Sequence, residues 1–411
     1  MDLEDNLVRL RQIGLSKNEE EVIVISDEPK IPSYLCFPNE EAEKRFKTKN
    51  VFGQGFHTNR TLARIKSVGE FLERLCLENP QKDKLFKYKF ELGEEFIDPI
   101  LFCCYSEEQI PDRQKFLLEL KNKVYYWFFV KDILSNKKMF LPAQLIFLSE
   151  QFDEEFPIRI ERISTGAALG PIETENAFET GFLEVIERDA CIYSYLTRRR
   201  ISRIVDLPSR INELVEYLKR YNLETNIFDV TIDLNIPTVM VITTDRTGIG
   251  PAVNIGSKAD FNYENAIERA VLESIQCRRT ARFMKELDYS KQLPKEDEIV
   301  SMDHRFYYWY PIERMSNLSF WLDNFNKVSY NQLIEGNTTF KKVIDTFTKL
   351  NYHIFIANIT LPEIKDKGFE VLKVIIPELH PLYLNERAKA LYSVHYGNIP
   401  NNPILKPHPL T

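Results

Sequence analysis

Three short motifs combine carboxylates with arginine or glutamine at intervals of three or four residues. Side chains at these intervals project from one face of an α-helix, so each motif is expected to form a local polar cluster. Two copies have the form Glu-x-x-Glu-Arg, and the third has the form Glu-x-x-Gln-x-Arg. Their residues are Glu70, Glu73, Arg74, Glu184, Glu187, Arg188, Glu273, Gln276 and Arg278.

The segments that carry these motifs are otherwise strongly apolar, with neighbours such as Phe71, Leu183, Ile186, Val271 and Ile275. Carboxylates on such helices are costly to bury unless a cation or a hydrogen-bond donor compensates. Carboxylate oxygens are ligands that suit Mg²⁺, and arginine and glutamine suit phosphate and nucleotide contacts. The motifs therefore predict a magnesium–nucleotide cleft built from three helices. It would have no Walker loop, because the chain contains no Gly-x-x-x-x-Gly-Lys-Ser/Thr segment.

A single Glu-x-x-Glu-Arg motif is more often a solvated set of ion pairs on a helix surface. The repetition argues against that explanation here. The first copy follows Gly53-Gln54-Gly55 and the second follows Gly166-Ala167-Ala168-Leu169-Gly170. This echo predicts two similar halves that present acidic helices to each other.

The patterns around the motifs predict an α+β fold without a regular strand–helix alternation. Helical spacing covers residues 58–77, 173–198, 211–221, 263–284 and 384–392. Strand-like runs cover residues 124–130, 143–148, 228–234, 238–244, 353–359 and 371–376. We predict an N-terminal extension over residues 1–50 and a catalytic domain over residues 51–411.

Composition excludes several classes of protein. The chain has 411 residues, 44% of them hydrophobic, which is enough for a large core. The 54 basic and 61 acidic residues leave a net charge of −7, which argues against a general nucleic-acid binder. A membrane-spanning run is absent from the sequence, as is a secretory signal pattern. Six scattered cysteines in mostly apolar surroundings predict free thiols in a reducing, cytoplasmic compartment.

The motif-bearing segments together resemble the YcaO family. Residues 164–170 (Ser-Thr-Gly-Ala-Ala-Leu-Gly), Ala177 and the stretch 181–190 are similar to its central signature. The Gly53-Gln54-Gly55 segment with Ala63 and the first motif resembles the family's first motif, and the Glu273 motif resembles its third. The resemblance covers roughly residues 50 to 411.

This resemblance implies two pseudo-repeated α/β halves with helices around an ATP-binding cleft. In that family the motifs bind ATP and Mg²⁺, and the enzymes phosphorylate the oxygen of a peptide backbone amide. The implied Mg²⁺ ligands are Glu70, Glu73, Glu184, Glu187 and Glu273. The implied nucleotide contacts are these five together with Arg74, Ser164, Arg188, Gln276 and Arg278. A further family glutamate corresponds to Glu175 or to Asn176.

The last residues of the sequence contain Pro407-His408-Pro409-Leu410-Thr411. Alternating prolines hold a backbone extended, and by themselves they indicate no more than a stiffened chain end. YcaO proteins that make azoline rings end in a similar Pro-x-Pro-x-Pro tail, whose terminal carboxylate reaches the active site. The resemblance therefore implies that Pro407 and Pro409 present Thr411, and that its carboxylate acts as the general base.

The function implied is that of an ATP- and Mg²⁺-dependent cyclodehydratase that forms thiazoline or oxazoline rings in a ribosomal precursor peptide. Two alternatives stay open: backbone thioamide formation by the same ATP chemistry, and a noncatalytic subunit that binds substrate or a partner. The partners we expect are the precursor peptide, a ThiF-like protein that binds its leader, a dehydrogenase subunit and a second copy of this chain. Neither nucleic acid nor a membrane is expected as a partner.

Overall fold

The chain forms two units in a computed structural model, which describes residues 2–90, 93, 95–149, 152, 166–335, 338–402 and 404–410. The first unit comprises Met1–Ile23, Lys30–Val185 and Tyr352–Glu378. The second unit comprises Val24–Pro29, Ile186–Asn351 and Leu379–Thr411. Each unit is therefore assembled from three separate stretches of the sequence.

The secondary structure is mixed throughout. The helices are α1 (Leu3–Arg11), α2 (Glu40–Arg45), α3 (Arg60–Glu78), α4 (Arg113–Asn122), α5 (Asn176–Leu196), α6 (Ser209–Lys219), α7 (Tyr263–Leu287), α8 (Met302–Tyr308), α9 (Ser319–Leu322), α10 (Tyr330–Ile334), α11 (Phe340–Leu350) and α12 (Pro362–Lys365). The strands are β1 (Glu20–Glu21), β2 (Ser33–Cys36), β3 (Gly53–Phe56), β4 (Phe86–Lys89), β5 (Val124–Asp132), β6 (Lys138–Pro142), β7 (Ala167–Pro171), β8 (Ser202–Val205), β9 (Leu223–Asp229), β10 (Thr238–Asp245), β11 (Val253–Ala259), β12 (Asn326–Ser329), β13 (Phe355–Asn358), β14 (Phe369–Ile375), β15 (Tyr392–Ser393) and β16 (Gly397–Asn398).

The first unit contains two antiparallel sheets. One has the strand order β1-β2-β3, and the other has the order β4-β5-β13-β14-β7 with β6 paired to β5. Helix α3 covers the smaller sheet. It begins after Asn59, whose side chain accepts the Leu62 N–H at 3.0 Å, and it buries Phe71, Leu72 and Leu75 on its apolar face. The polar residues of the first motif lie on the same helix, next to this core.

The second unit contains a five-stranded sheet with the order β11-β10-β9-β8-β12. Its pairs are antiparallel except for β8 and β12, which are parallel. All eight residues of β10 are buried, as expected for a central strand beneath a helix. Helix α7 supplies that cover, and its first turn is capped by the Asn262 side chain.

One strand-and-helix arrangement occurs in both units, as β3–α3 and as β11–α7. A Cβ atom added at Gly53 would lie 2.0 Å from the Ser67 carbonyl oxygen, and one at Gly256 would lie 2.1 Å from that of Ala270. Only glycine permits so close an approach of strand to helix. Gly256 is thus the counterpart of Gly53, and Ala270 is the counterpart of Ser67. Both pairs are separated by 203 residues in the sequence. The repeat thus joins α3 to α7, whereas the sequence echo pairs α3 with α5.

The α+β prediction and most of the predicted helices are confirmed, but three segments differ. The strand expected over residues 228–234 lies earlier, at Leu223–Asp229. Residues 143–148 were expected to form a strand, whereas Ala143–Leu145 is a 3₁₀ turn after Pro142. This run is short and buried on all sides, and such a run does not distinguish a strand from a helical turn. Residues 384–392 contain the 3₁₀ turn Glu386–Ala388 and the first residue of β15 instead of the expected helix. Side chains from elsewhere bind the backbone carbonyls of Tyr383 and Leu384, so those carbonyls do not start a helix.

All six cysteines are free thiols, four of them buried. Over the part of the chain that the structure describes, none of the helices combines the length and apolar character that a membrane span requires.

Candidate functional site

The first unit brings the first motif and Glu184 to backbone donors of neighbouring strands. Arg74 pairs with Glu70, with Nη2 2.7 Å from Oε1. The other carboxylate oxygen of Glu70 accepts the Gln54 N–H of β3 at 2.8 Å. Glu184, on α5, accepts the N–H of Gly166 at 2.9 Å. Both glutamates are therefore held in place by main-chain donors from the glycine-bearing segments that precede their helices.

Glu73 lies among these groups without comparable compensation. Its removal from water, and then the nearby charges of Glu184 and Glu70, hold the pKa of the Glu73 carboxyl well above its usual range. A fully buried lysine, Lys373 of β14, belongs to the same group. Burial lowers the pKa of Lys373 to about 8, although Glu184 and Glu73 oppose that change. We call Glu70, Glu73, Arg74, Glu184 and Lys373 the first cluster.

The second unit builds a more balanced group around the fully buried Glu187. Its Oε1 accepts the Ser257 hydroxyl at 2.7 Å, and its Oε2 lies 3.1 Å from Lys258 Nζ. Arg188 lies 3.5 Å from Glu187 and 3.9 Å from Glu273. Glu273 also accepts the Ser257 N–H at 2.7 Å. We call these five residues the second cluster.

The pKa values of the two carboxyls of the second cluster are shifted in opposite directions. Burial acts to raise the pKa of Glu187, but Lys258 and Arg188 outweigh it and the pKa is lowered. Burial and the charge of Glu187 together raise the pKa of Glu273. Two cations therefore accompany two carboxylates here, whereas the first cluster sets three carboxylates against two cations.

The equivalence of α3 and α7 extends to these residues. Glu273 occupies the place of Glu70, because each accepts the N–H of a strand residue sixteen positions earlier. The same shift of 203 residues puts Gln276 in the place of Glu73 and Cys277 in the place of Arg74. Helix α5 supplies the remaining carboxylate of each cluster, Glu184 to the first and Glu187 to the second.

The first cluster fits a divalent cation by its chemistry. Its carboxylate oxygens are ligands that Mg²⁺ prefers. The pKa of Glu73 is raised first by burial and then by the charges of Glu184 and Glu70, and a bound cation would neutralise those charges. In the ranges that the structure describes, no three histidine, cysteine, aspartate or glutamate side chains already form a metal-binding group.

Arg278 has a different set of contacts from the other motif residues. It is buried, with Nη2 2.9 Å from Glu28 Oε1 and 2.8 Å from Asp245 Oδ2. Arg282, one turn later, also pairs with Glu28 at 3.0 Å. The structure thus places Arg278 in a buried ion-pair network of the second unit. Gln276 lies on α7 between Glu273 and Arg278, and its side chain is half-buried.

The proline-rich segment is buried in the second unit, so it is not a frayed end over residues 405–410. Pro407, His408 and Pro409 are all buried. Pro409 lines a small pocket with Asn254 of β11 and Cys277 of α7. Ser164 and Thr411, the remaining predicted site residues, lie outside the described residues. Glu175 and Asn176 are exposed at the start of α5.

Sequence reasoning missed the two lysines and Ser257. A signal for Lys373 does exist, since it is a single cation inside the otherwise apolar run Val-Leu-Lys-Val-Ile. Ser257 and Lys258 follow Gly256, the counterpart of Gly53. That internal repeat is weak in sequence, because only a few scattered residues persist, among them the glycine, the capping asparagine and one glutamate.

Comparison with known structures shows a shared fold. A heterocyclase in complex with substrate and cofactor aligns with TM-score 0.67 and 17% identity over 93% of this chain and 52% of its own. The YcaO protein of Methanopyrus kandleri bound with AMPPCP and Mg²⁺ aligns with TM-score 0.66 and 17% identity, covering 98% and 96% of the two chains. The E. coli microcin synthetase McbBCD complex with pro-MccB17 bound aligns with TM-score 0.64 and 14% identity over 92% and 93%. The chain spans about half the length of the first of these.

No curated protein sequence matches the chain. A family model, described as YcaO cyclodehydratase, ATP- and Mg²⁺-binding, matches residues 54–380. The match includes the two clusters and confirms the predicted family and its cofactors, ATP and Mg²⁺. The chain therefore belongs to the YcaO family of ATP- and Mg²⁺-binding cyclodehydratases.

Proposed function

We propose that this protein is a peptide cyclodehydratase that forms thiazoline or oxazoline rings in a ribosomal precursor peptide. The observation that carries the proposal is the pair of carboxylate clusters within a matched YcaO domain. In the proposed reaction a Cys, Ser or Thr side chain of the substrate attacks the preceding amide carbonyl. The amide oxygen is then phosphorylated at the expense of ATP, and loss of phosphate leaves the ring. The substrate supplies the nucleophile, which agrees with the buried state of most of the chain's own thiols.

We assign different tasks to the two clusters on the basis of their charge. Glu70, Glu73 and Glu184 carry surplus negative charge and would hold Mg²⁺ most tightly. Glu187 is already balanced by Lys258 and Arg188, and Glu273 lies 3.9 Å from Arg188, so these two would contribute more weakly to metal binding. Bound magnesium neutralises the charge that develops on a transferring phosphoryl group.

The cations and donors of the second cluster suit phosphate oxygens. Arg188, Lys258 and Ser257 all direct hydrogen-bond donors or positive charge towards the carboxylate of Glu187. A phosphate would meet the same donors. Arg74, Gln276 and Ser164 are proposed as further nucleotide contacts, as the family resemblance implies. Arg278 is retained in that set, although its present partners are Glu28 and Asp245.

The buried proline-rich segment supports the azoline-forming subclass. We propose that Pro407 and Pro409 direct the following residues along β11, where Ser257 and Lys258 belong to the second cluster. With Thr411 as the terminal residue, its carboxylate would act as the general base for ring closure.

The proposed partners follow from the substrate and from the solved relatives. One relative was determined as a synthetase complex with its pro-peptide bound. For this chain we propose a precursor peptide as substrate and a ThiF-like protein that delivers it. A dehydrogenase subunit that oxidises the ring and a second copy of the chain complete the proposed assembly.

Intact mass spectrometry tests the proposal. The protein is incubated with ATP, Mg²⁺, its partner protein and the precursor peptide encoded nearby, and the peptide is weighed. Loss of one water per modified residue is expected, and it should disappear when ATP is omitted. Glu184→Gln should abolish it, whereas the exposed Glu179→Gln on the same helix should not.

Two other outcomes would replace the proposal. Exchange of a backbone oxygen for sulfur, seen only when sulfide is present, would make the protein a thioamide-forming enzyme. An unchanged peptide with unhydrolysed ATP would indicate a noncatalytic subunit, and calorimetry with ATP would then show whether nucleotide binding is retained.

A further inference from the structure

The side chain of Arg305, on α8, is fully buried and forms hydrogen bonds and an ion pair with residues between 383 and 408. Its Nη1 donates to the His408 carbonyl oxygen at 2.7 Å, and its Nη2 donates to that of Leu384 at 2.9 Å. Glu386 completes the set as an ion-pair partner at 2.8 Å. A buried guanidinium is costly unless it is compensated in this way. Arg305 therefore holds two separate segments, residues 384–386 and residue 408, against α8.

Two further contacts hold the same segment. The Tyr195 hydroxyl, on α5, donates to the Lys406 carbonyl oxygen at 2.9 Å. His408 Nε2 lies 2.6 Å from the Tyr383 carbonyl oxygen, and the two rings meet edge to face with centroids 4.7 Å apart. Burial keeps the pKa of His408 well below its ordinary value, so the ring is neutral and donates through Nε2. Residues 406–408 are thus fixed by backbone contacts that do not depend on the identity of most of their side chains.

The fixed segment ends beside the strand of the second cluster. Pro409 and Arg305 line one small pocket with Asn254 of β11. Ser257, which binds both Glu187 and Glu273, is three residues further along that strand. Three residues of β-strand span about 10 Å, and two residues of extended chain span about 7 Å. A segment held at Pro409 can therefore bring the residues after it close to the second cluster.

We propose that Arg305 is a positioning residue for the cyclodehydration reaction, which fixes residues 406–409 so that the chain beyond Pro409 faces the second cluster. This inference rests on the proposed function and extends it, because it assigns the placement of the proline-rich segment to one side chain. Arg305 itself would touch neither ATP nor the peptide. The rival explanation is that Arg305 only stabilises the fold.

The first test measures the segment directly and does not depend on activity. Hydrogen–deuterium exchange is compared between the wild-type protein and Arg305→Lys, which keeps the charge but loses the forked geometry. Amides of residues 404–410 should exchange faster in the variant by about tenfold, while those of α7 should not change. Unchanged exchange at 404–410 would overturn the inference. Arg387→Lys, an exposed arginine of the same region, serves as the control.

The second test separates positioning from stability. Arg305→Lys should lower kcat for ring formation by about 10- to 100-fold and leave KM for ATP within about twofold. Tyr195→Phe, which removes the hydroxyl that donates to the carbonyl oxygens of Lys406 and Pro407, should lower kcat by about fivefold. It is the variant to use if Arg305→Lys fails to fold. In the double variant Arg305→Lys/Tyr195→Phe, the losses of kcat should be less than multiplicative, because both side chains act through residues 406–408.

Fully multiplicative losses of kcat in that double variant would overturn the inference, as would a lowered thermal midpoint with unchanged kcat. A wild-type protein that modifies no peptide would instead overturn the proposed function. In that case the exchange experiment still decides whether Arg305 holds the segment.

Discussion

The two clusters are built on the same strand-and-helix arrangement but differ in their balance of charge. In the first unit, Glu70 and Glu73 on α3 are joined by Glu184, and the pKa of Glu73 is raised. In the second unit, the position that matches Glu73 is Gln276, so α7 brings a single carboxylate, Glu273. Lys258 and Arg188 then neutralise Glu187 and Glu273. Gln276 in the place of Glu73 and Lys258 in the place of Gly55, together with Arg188, thus separate a cluster with surplus carboxylate from a more balanced one.

This difference shows how a repeated element can acquire two tasks. The backbone contact is kept in both copies, since Glu70 and Glu273 each accept a strand N–H. The net charge is then set by the residue one turn later, Glu73 or Gln276, and by the cations that the strand and α5 contribute. A cluster with surplus carboxylate favours Mg²⁺. A balanced cluster, whose arginine and lysine could bind phosphate oxygens instead of carboxylate oxygens, favours phosphate.

The largest expected effect is on stability, at Glu187. Glu187→Ala leaves Lys258 and Arg188 without their buried partner, and breaking a buried ion pair in this way costs about 3–5 kcal/mol in the free energy of unfolding. Denaturant titration measures the loss. Glu70→Ala is the matched variant in the first cluster and should cost less, because it removes one of three mutually repelling carboxylates. A larger loss at Glu70 than at Glu187 would contradict the comparison.

The next effect is on activity, at Glu73. Glu73→Gln should lower Mg²⁺-dependent ATP turnover by about 100- to 1000-fold without lowering the thermal midpoint, since it removes the carboxylate that lacks compensation. A Mg²⁺ titration of turnover provides the measurement. Gln276→Glu is the reciprocal control, which gives the second cluster the carboxylate of the first. It should leave turnover within about tenfold of wild type. Equal losses in the two variants would remove the proposed division of tasks.

The close contact between strand and helix predicts a smaller effect, at Gly256. Gly256→Ala places a methyl group 2.1 Å from the Ala270 carbonyl oxygen, and overpacking of this kind costs about 1–3 kcal/mol. Gly69→Ala is the control, because nothing lies within 4 Å of the added atom and alanine favours a helix. Thermal unfolding should show opposite shifts for the two variants. Two shifts of the same sign would mean that the approach of β11 to α7 is not tight.

The smallest effect, when taken over a single pH unit, is a pH dependence from Lys373. Because its pKa is lowered to about 8 in the folded protein, the unfolded chain binds this proton more readily between pH 8 and 10.5. The free energy of unfolding should therefore rise with pH across that window, by at most about 1.4 kcal/mol per pH unit. Lys373→Met should remove this contribution, whereas the exposed Lys341→Met should not. An unchanged slope in Lys373→Met would show that the ammonium group is not withdrawn from water.

The sequence was informative where a local pattern determines the outcome. The helical spacing around Glu70 and Glu184 predicted α3 and α5 closely, and the three motifs indicated the family. Local patterns could not show that Lys373 and Lys258 would join the carboxylates, because those contacts form between segments that are distant along the chain. The same reason accounts for the wrong helix at residues 384–392. There, Arg305 and His408 bind the carbonyls of Tyr383 and Leu384, so a helix does not form although the apolar residues have helical spacing.

Iron-dependent cleavage mapping tests the central claim most directly, namely that the metal prefers the first cluster. Fe²⁺ replaces Mg²⁺ at a concentration below that of the protein, peroxide and ascorbate are added, and the backbone breaks are located by mass spectrometry. The account predicts breaks close to Glu70, Gly166 and Lys373, and their loss in Glu73→Gln. Breaks confined to the region of Ser257 and Glu273, unaffected by Glu73→Gln, would contradict it.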